Sequence, residues 1–343
     1  MRTRRHTLAA LLASSFLFLT VAPAFAGGAE FSIKLATVAP DNTPWSELLK
    51  RYKKRVETKA GKERIEVKLF LGGMLGDENE TVTKCKRGQI QAVGASTGAM
   101  ATAVPELNVV ELPFLFRNAS EADAVIDEVI TPMLDPTFRK YGLVLGFWSE
   151  NGFRHFGTKD KFVKSPDDLK GRKMRSQESK VHTDMYEALG ASPVPIPTTE
   201  ALTALQTGTV DGFDQATLFT IAANWHKTVK FFTISSHIYQ PAIIAYNKEW
   251  FDKLPADLQT ILIEEGRLLQ GKGRGFIRDI LPGLNDILVK DGLQVHELTD
   301  AERVKFEAAT KLVRKKLGDR QGADTQALIK TVEAKLSALR GGK

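Results

Sequence analysis

Three shortages narrow the function of this 343-residue chain before any motif is considered. It has one cysteine, no metal-binding spacing among its six histidines and, past its first thirty residues, no long apolar run. A single thiol, Cys85, makes an internal disulfide impossible, so the fold must rest on packed cores. Within the polar run Thr83-Lys84-Cys85-Lys86-Arg87 it reads as a surface helix position; a catalytic thiol with a lowered pKa is the alternative. No HxxxH or HExxH pair occurs, which speaks against zinc, and no metal site or cofactor is expected. No GxSxG elbow occurs either, and no nucleophile stands beside a base, so an enzyme is not the expectation. Lys and Arg outnumber Asp and Glu by 48 to 41, with the signs interspersed. That balance provides no polybasic block of the kind nucleic acid requires, and it suits an anionic small molecule.

What is present begins at the amino end. Arg2, Arg4 and Arg5 precede an apolar stretch from Leu8 to Val21, and Ala24-Phe25-Ala26 offers small residues where a signal peptidase reads. The stretch is shorter than the roughly 18 residues of a spanning helix, and Pro23 closes it, so cleavage after about Ala26 and export to the periplasm are expected. No cysteine follows that site, which argues against a lipoprotein.

Beyond it the chain alternates strand and helix signals. Phe31 to Thr37, Arg64 to Leu71 and Ile90 to Ala95 read as strands, separated by helices from Thr43-Pro44 to Lys59 and from Asp77 to Arg87. Glu106 to Phe116 and Leu143 to Trp148 add strand-like runs. The pattern then restarts with a strand at Gly152 to Thr158, a capped turn at Ser165 to Leu169 and a strand at Arg172 to Ser176. A helix over 180–190 follows, then another capped by Thr198 or Thr199 and ended by Gly208, and a strand at Thr209 to Phe213. Ala256 to Leu288 is helical in character, with Pro282 expected to break or kink it. The order predicts an α/β fold with a mostly parallel sheet, built as two units without a linker and with a ligand cleft between them.

Several side chains carry chemical content. Lys170, Arg172, Lys173, Arg175 and Lys180 crowd one short segment. Arg175, near the carboxyl end of its strand, would face the cleft, and its planar fork matches a carboxylate. Spacing alone leans towards a solvated basic face. Arg154, within Gly152-Phe153-Arg154-His155-Phe156-Gly157, is either paired with an acid or faces a polar cavity, because an unpaired buried charge is costly. Val210 to Gln215 ends a strand before a helix; there Asp211 reads as a backbone pin, and Phe213 as ligand contact or core. Gly271-Lys272-Gly273-Arg274-Gly275 lacks the P-loop spacing and reads as helix surface. Asp167-Asp168 reads as helix capping.

Five segments in order resemble one family. They are Gly73-Met74-Leu75-Gly76-Asp77, Glu111-Leu112-Pro113-Phe114-Leu115-Phe116, Asn151-Gly152-Phe153-Arg154, Leu169 to Arg175, and Ala201 to Gly212. The chain resembles the DctP-type solute-binding subunits of tripartite ATP-independent periplasmic (TRAP) transporters over essentially its whole mature length. The resemblance implies a two-lobed periplasmic binding protein fold (type II-like) with hinge strands and a long helix spanning both lobes. Lobe one would hold residues 27–151 and 241–280, and lobe two 152–240 and 281–343. It implies a carboxylate ligand gripped by Arg175 with help from Arg154. Ser96, Thr97, Glu178, Phe213, Asp214, Gln215 and Trp148 complete the candidate ligand contacts. Asp214 and Gln215 depart from the residues common in the family, and Ser96-Thr97-Gly98 argues against sialic acid. The implied partners are a small organic acid and the small and large TRAP membrane subunits, with the binding protein itself a monomer. A sensory partner presenting the ligand to a receptor, or an enzyme acting on an organic acid, are the alternatives.

Overall fold

A computed structural model describes residues 29–341. The expected signal segment and its cleavage point lie outside the described residues. Nine strands form a single sheet: β1 (Phe31–Thr37), β2 (Ile65–Phe70), β3 (Ala92–Ser96), β4 (Leu143–Thr158), β5 (Lys173–Ser176), β6 (Ser192–Pro195), β7 (Gly212–Ala216), β8 (Phe231–Asn247) and β9 (Gln294–Glu297). Their order is β2-β1-β3-β8-β4-β7-β5-β6, with β9 joined to β8. β1 pairs in parallel with β2 and β3, and β5 with β6 and β7, so each side repeats a small parallel unit.

Two long antiparallel strands, β4 and β8, join those units. β3 pairs with Ala242–Tyr246 at one end of β8, while β7 pairs with Arg154–Thr158 at the far end of β4. The β4–β8 register slips between Glu150 and Gly152, and Gly152 takes φ +97°, a conformation that glycine adopts without a Cβ penalty. Sequence patterning had separated Leu143–Trp148 from Gly152–Thr158; pairing with β8 fuses them into one strand. The crossing point of these strands is the floor between the two halves.

The helices form where the local chemistry directs them. Thr43 caps the helix Pro44–Ala60 in a capping box with Ser46, and Pro44 sits at the first helical position, where its missing N–H costs nothing. That helix buries Leu48, Leu49, Tyr52 and Val56 against Ile33, Leu35, Ile65 and Val67 of the sheet. The helix Ala256–Lys290 lies across both halves. Leu258, Leu262 and Leu269 join the first half's core, Leu288 joins a core with Phe213 and Phe232, and Ile277 and Leu284 pack with Ala39, Trp45 and Leu218 from both sides. Close approach is possible because Gly266 has no Cβ: one placed there would lie 2.1 Å from the Phe147 ring.

Tertiary context overrides several expectations. Glu106–Phe116 is not a strand; its start is the 3-10 turn Pro105–Val109, and Pro105 and Pro113 cannot donate to a ladder. Pro282 does not interrupt the long helix. It is exposed there, so the carbonyl it frees can turn to water. Cys85 is fully buried, not at the surface, because the helix Glu78–Lys86 presents it to the sheet with Val82; burial pushes its thiol pKa up. Arg274 is buried against Asp127 rather than spread on the helix surface. Thr198 and Thr199 do not cap the next helix, which starts at Ala201 after Glu200. The last helix, Ala323–Leu339, packs Leu328, Val332 and Leu336 into the core of the first half, although residues 281–343 were expected with the second.

Candidate functional site

A narrow cleft lies where the two units face each other over β4 and β8. Val38, Trp45, Leu48, Glu78 and Ser96 come from the first unit, and Gln177, Thr198, Gln215 and Phe219 from the second. Ser149, Asn151, Gln240 and Ala242 come from the joining strands. The Trp45 indole N–H donates to the Glu150 carbonyl at 2.7 Å, fixing the ring beside the crossing strands.

Beneath the cleft is a buried polar network centred on Arg154. The alternation of β4 turns this residue away from solvent, leaving it 0 % exposed. Its Nε donates to Asp214 Oδ2 at 2.5 Å, its Nη1 to Gln240 Oε1 at 2.7 Å and Gln215 Oε1 at 3.0 Å, and its Nη2 to the Asp214 carbonyl. Asp214 also accepts from the Tyr186 hydroxyl at 2.8 Å and lies 3.3 Å from His237 Nε2. Burial alone would raise the Asp214 pKa, but the Arg154 charge and the His237 hydrogen bond hold it well below the usual range. Arg154 is therefore a paired ion with little capacity to spare.

Arg175 is the opposite case. It stands on the short strand β5, in register with Phe213 of β7, and is 1 % exposed. Its Nε and Nη2 donate to the Ile196 carbonyl at 3.0 and 2.7 Å, and Nη2 also reaches Thr198 Oγ1 at 3.2 Å. The guanidinium packs over the Trp225 ring, 5.1 Å from its centroid. Nη1 is buried and has no hydrogen-bond partner among the described residues, and no carboxylate lies within ion-pair distance. Burial, reinforced by the like charge of Arg154, lowers its pKa to about 10. Its neighbours differ: Arg172 pairs with Asp160, Lys170 with Asp167 and Lys180 with Asp184. The crowded basic segment thus resolves into three ion pairs, the exposed Lys173 and one buried cation. That cation stands one hydrogen bond behind Thr198, which lines the cleft.

Contacts across the mouth tie the units together. Gln177 Nε2 donates to Ser96 Oγ at 2.7 Å, and Gln240 Nε2 donates to Gln177 Oε1 at 2.8 Å. Asn79 Nδ2 donates to Glu178 Oε2 at 2.9 Å, and the Thr199 amide to Asp77 Oδ1 at 3.2 Å. Glu78 accepts from the Ser96 amide at 2.7 Å and from Ser96 Oγ at 3.1 Å. Burial raises its pKa to about 7, with the Ser96 amide hydrogen bond opposing the rise. Gly98 permits this packing, since a Cβ there would sit 2.9 Å from both Gln177 Oε1 and Glu111 Oε2.

The expected contacts divide into four groups. Ser96 and Gln215 line the cleft, with Arg175 just behind its wall. Arg154, Asp214 and Thr97 lie in the network below; Thr97 Oγ1 donates to Glu111, which also accepts from Gln240 and contacts His182. Phe213 and Trp148 are elsewhere, a correction with a packing cause. Phe213 sits in a hydrophobic core 5.3 Å from the Trp225 ring, and Trp148 bonds Thr131 on the far side of the first unit. Glu178 stands at the rim. Residue patterning missed Glu78, Gln177, Gln240, Trp45, Thr198 and Phe219. Only Glu78 carried a signal, as the first helical residue after the Gly73–Asp77 turn.

Comparison with known proteins gives this geometry a family. The profile of the bacterial extracellular solute-binding protein family 7, DctP, matches residues 35–321. The chain is 34% identical over 282 residues to a solute-binding protein of Verminephrobacter eiseniae, covering 82% of this chain and 83% of that one. It is 28% identical to the C4-dicarboxylate-binding periplasmic protein DctP of Rhodobacter capsulatus, over 96% and 99% of the two chains. Among solved structures, a TRAP periplasmic solute-binding protein from Citrobacter koseri with bound D-glucuronate superposes with a TM-score of 0.81 at 29% identity, over 88% of this chain and 98% of that one. The two-unit sheet, the paired crossing strands and the cleft they floor belong to a protein of the DctP family of extracellular solute-binding proteins.

Proposed function

We propose that this protein captures a small organic carboxylate in the cleft, with Arg175 holding the carboxylate, and delivers it to TRAP membrane subunits for ion-gradient-driven uptake. One observation carries the reading: Arg175 is a buried guanidinium with an orphaned Nη1 and no acid beside it. An unpaired buried charge is costly to keep, and an anionic ligand would supply the missing partner. A carboxylate meeting that fork in a desolvated cleft gains charge-assisted hydrogen bonds stronger than those in water. Arg175 lies behind Thr198, and opening of the two lobes would let a ligand reach it.

The lobes pivot at the Glu150–Gly152 slip on β4 and its partner stretch of β8, with the last helix riding on lobe one. Ligand bound to one lobe adds contacts from the other, and this difference in affinity favours the closed form. The C4-dicarboxylate named for the Rhodobacter relative and the glucuronate in the Citrobacter structure are both carboxylates. No helix among the described residues is long and apolar enough to cross a membrane. In the proposed reading the chain is exported and its leader removed after about Ala26. The protein acts as a monomer and turns over nothing.

Mass spectrometry of the small molecules released from natively purified protein is the direct test. A stoichiometric carboxylic acid is expected. A neutral sugar or a cationic ligand in its place would contradict the reading, as would chemical turnover of the bound acid.

A further inference from the structure

The cleft's hydrogen-bonding groups are largely spent on one another. Gln240 gives its amide N–H groups to Glu111 and Gln177, and its oxygen accepts from Arg154. Gln215 accepts from Arg154 and from the Ala216 amide, and Gln177 is held between Gln240 and Ser96. A polyhydroxylated ligand needs free donors and acceptors for each hydroxyl it desolvates. These three glutamines have most of theirs committed.

The charges are equally selective. No lysine or arginine lines the cleft among the described residues; of the two buried cations behind its walls, Arg154 is paired with Asp214 and Arg175 has no acid partner. Across Thr198 from that cation stands Glu78, with Thr198 Oγ1 3.2 Å from Arg175 Nη2 and 3.5 Å from Glu78 Oε2. A second ligand carboxylate would therefore lose its water with no cation to receive it, near an acidic side chain.

Apart from Thr37, Ser149 and Asn151, the remaining wall is apolar. Trp45, Leu48 and Leu49 project from one helix, and Phe219 faces them from the other lobe, its ring centroid 6.1 Å from that of Trp45. Trp45 sits in a hydrophobic cluster with Ala39, Leu218 and Ile277, and Phe219 packs against it. Such a wall gains by covering an apolar ligand body.

We infer that the cleft takes a monocarboxylate with an apolar body, an aromatic or branched-chain acid, and discriminates against dicarboxylates and sugar acids. The inference rests on the carboxylate reading of Arg175 and sharpens it. It separates this chain from the Rhodobacter and Citrobacter proteins, whose ligands carry a second carboxylate or several hydroxyls.

The test is calorimetric titration of the full mature protein, stripped of carried ligand by unfolding and refolding. The probes are phenylacetate, 4-methyl-2-oxopentanoate, succinate and D-glucuronate, with wild type, Arg175→Ala and Glu78→Gln. One of the two apolar acids should bind at least about 100-fold more tightly than succinate or D-glucuronate, and Arg175→Ala should abolish that binding. At pH 8, where the Glu78 carboxylate is ionised, Glu78→Gln should strengthen succinate binding by about tenfold, since it removes the repelling charge. Succinate or D-glucuronate binding as tightly as the apolar acids, and through Arg175, would overturn the inference while leaving carboxylate capture standing. Silence from all four acids overturns the inference as well. Binding that survives Arg175→Ala overturns the carboxylate reading beneath it.

Discussion

β4 and β5 each bury an arginine, and only β7 separates the two strands in the sheet. Around Arg154 the protein completes the ion itself: Asp214 supplies the charge, Gln215 and Gln240 supply oxygens, and Tyr186 and His237 secure Asp214 in turn. Around Arg175 it supplies one carbonyl, one hydroxyl and an aromatic face, and leaves Nη1 without a partner. Burial of a guanidinium therefore does not identify a binding residue. What distinguishes the two is whether the counter-charge belongs to the fold.

The largest expected effect would break this comparison at its structural side. Arg154→Ala strands the buried Asp214 carboxylate, and should lower unfolding stability by about 3–5 kcal/mol, read as a shift in the denaturant midpoint. A change no larger than that of an ordinary surface substitution would show that Asp214 is not held by Arg154.

A smaller effect concerns the closed cleft. Burial raises Glu78 to about 7 in this form, whereas a freely exposed glutamate titrates near 4.5. The closed form thus binds the extra proton between those values. Its advantage is full below the exposed value and fades as pH rises through the buried one. Affinity for the ligand should fall by up to about tenfold between about pH 5.5 and 8, and Glu78→Gln should flatten the profile. An affinity that rises over that interval would have the wrong sign for this account.

Ser96→Ala removes the acceptor for Gln177 and one donor to Glu78. Closure should weaken by about 1 kcal/mol, seen as a roughly fivefold faster release of ligand in stopped flow. The smallest effect should come from Arg175→Ala on stability. Losing two modest hydrogen-bond partners is offset by removing an unpaired buried charge, so unfolding should stay within about 1 kcal/mol of wild type. A loss as large as that of Arg154→Ala would make Arg175 structural too.

The sequence showed the elements better than their assembly. Thr43-Pro44, the alternation in Phe31–Thr37 and Gly208 after its helix are local signals, and each is placed where local chemistry directs. Asp211 pins the Lys173 amide and Asp168 closes a capping box, as short-range reasoning expects. The fusion of two strands into β4 and the burial of Cys85 depend on β8, which is distant in sequence. The site followed the same division. Arg175 stood out as a residue type, and the family resemblance gave it priority over its basic neighbours. Phe213 and Trp148 looked like contacts because aromatic rings near strand ends suit ligands, but packing turned both into cores. Gln177, Gln240 and Thr198 carry no type signal; their roles come from three chain segments meeting at the β4–β8 crossing.

The central claim is that Arg175 is left unpaired for the carboxylate of a ligand. Titration of Arg175→Ala with the acid that copurifies with the wild type tests it most directly. The account predicts an affinity loss of at least about 30-fold with an unchanged unfolding midpoint. Near-normal affinity in that variant would contradict it.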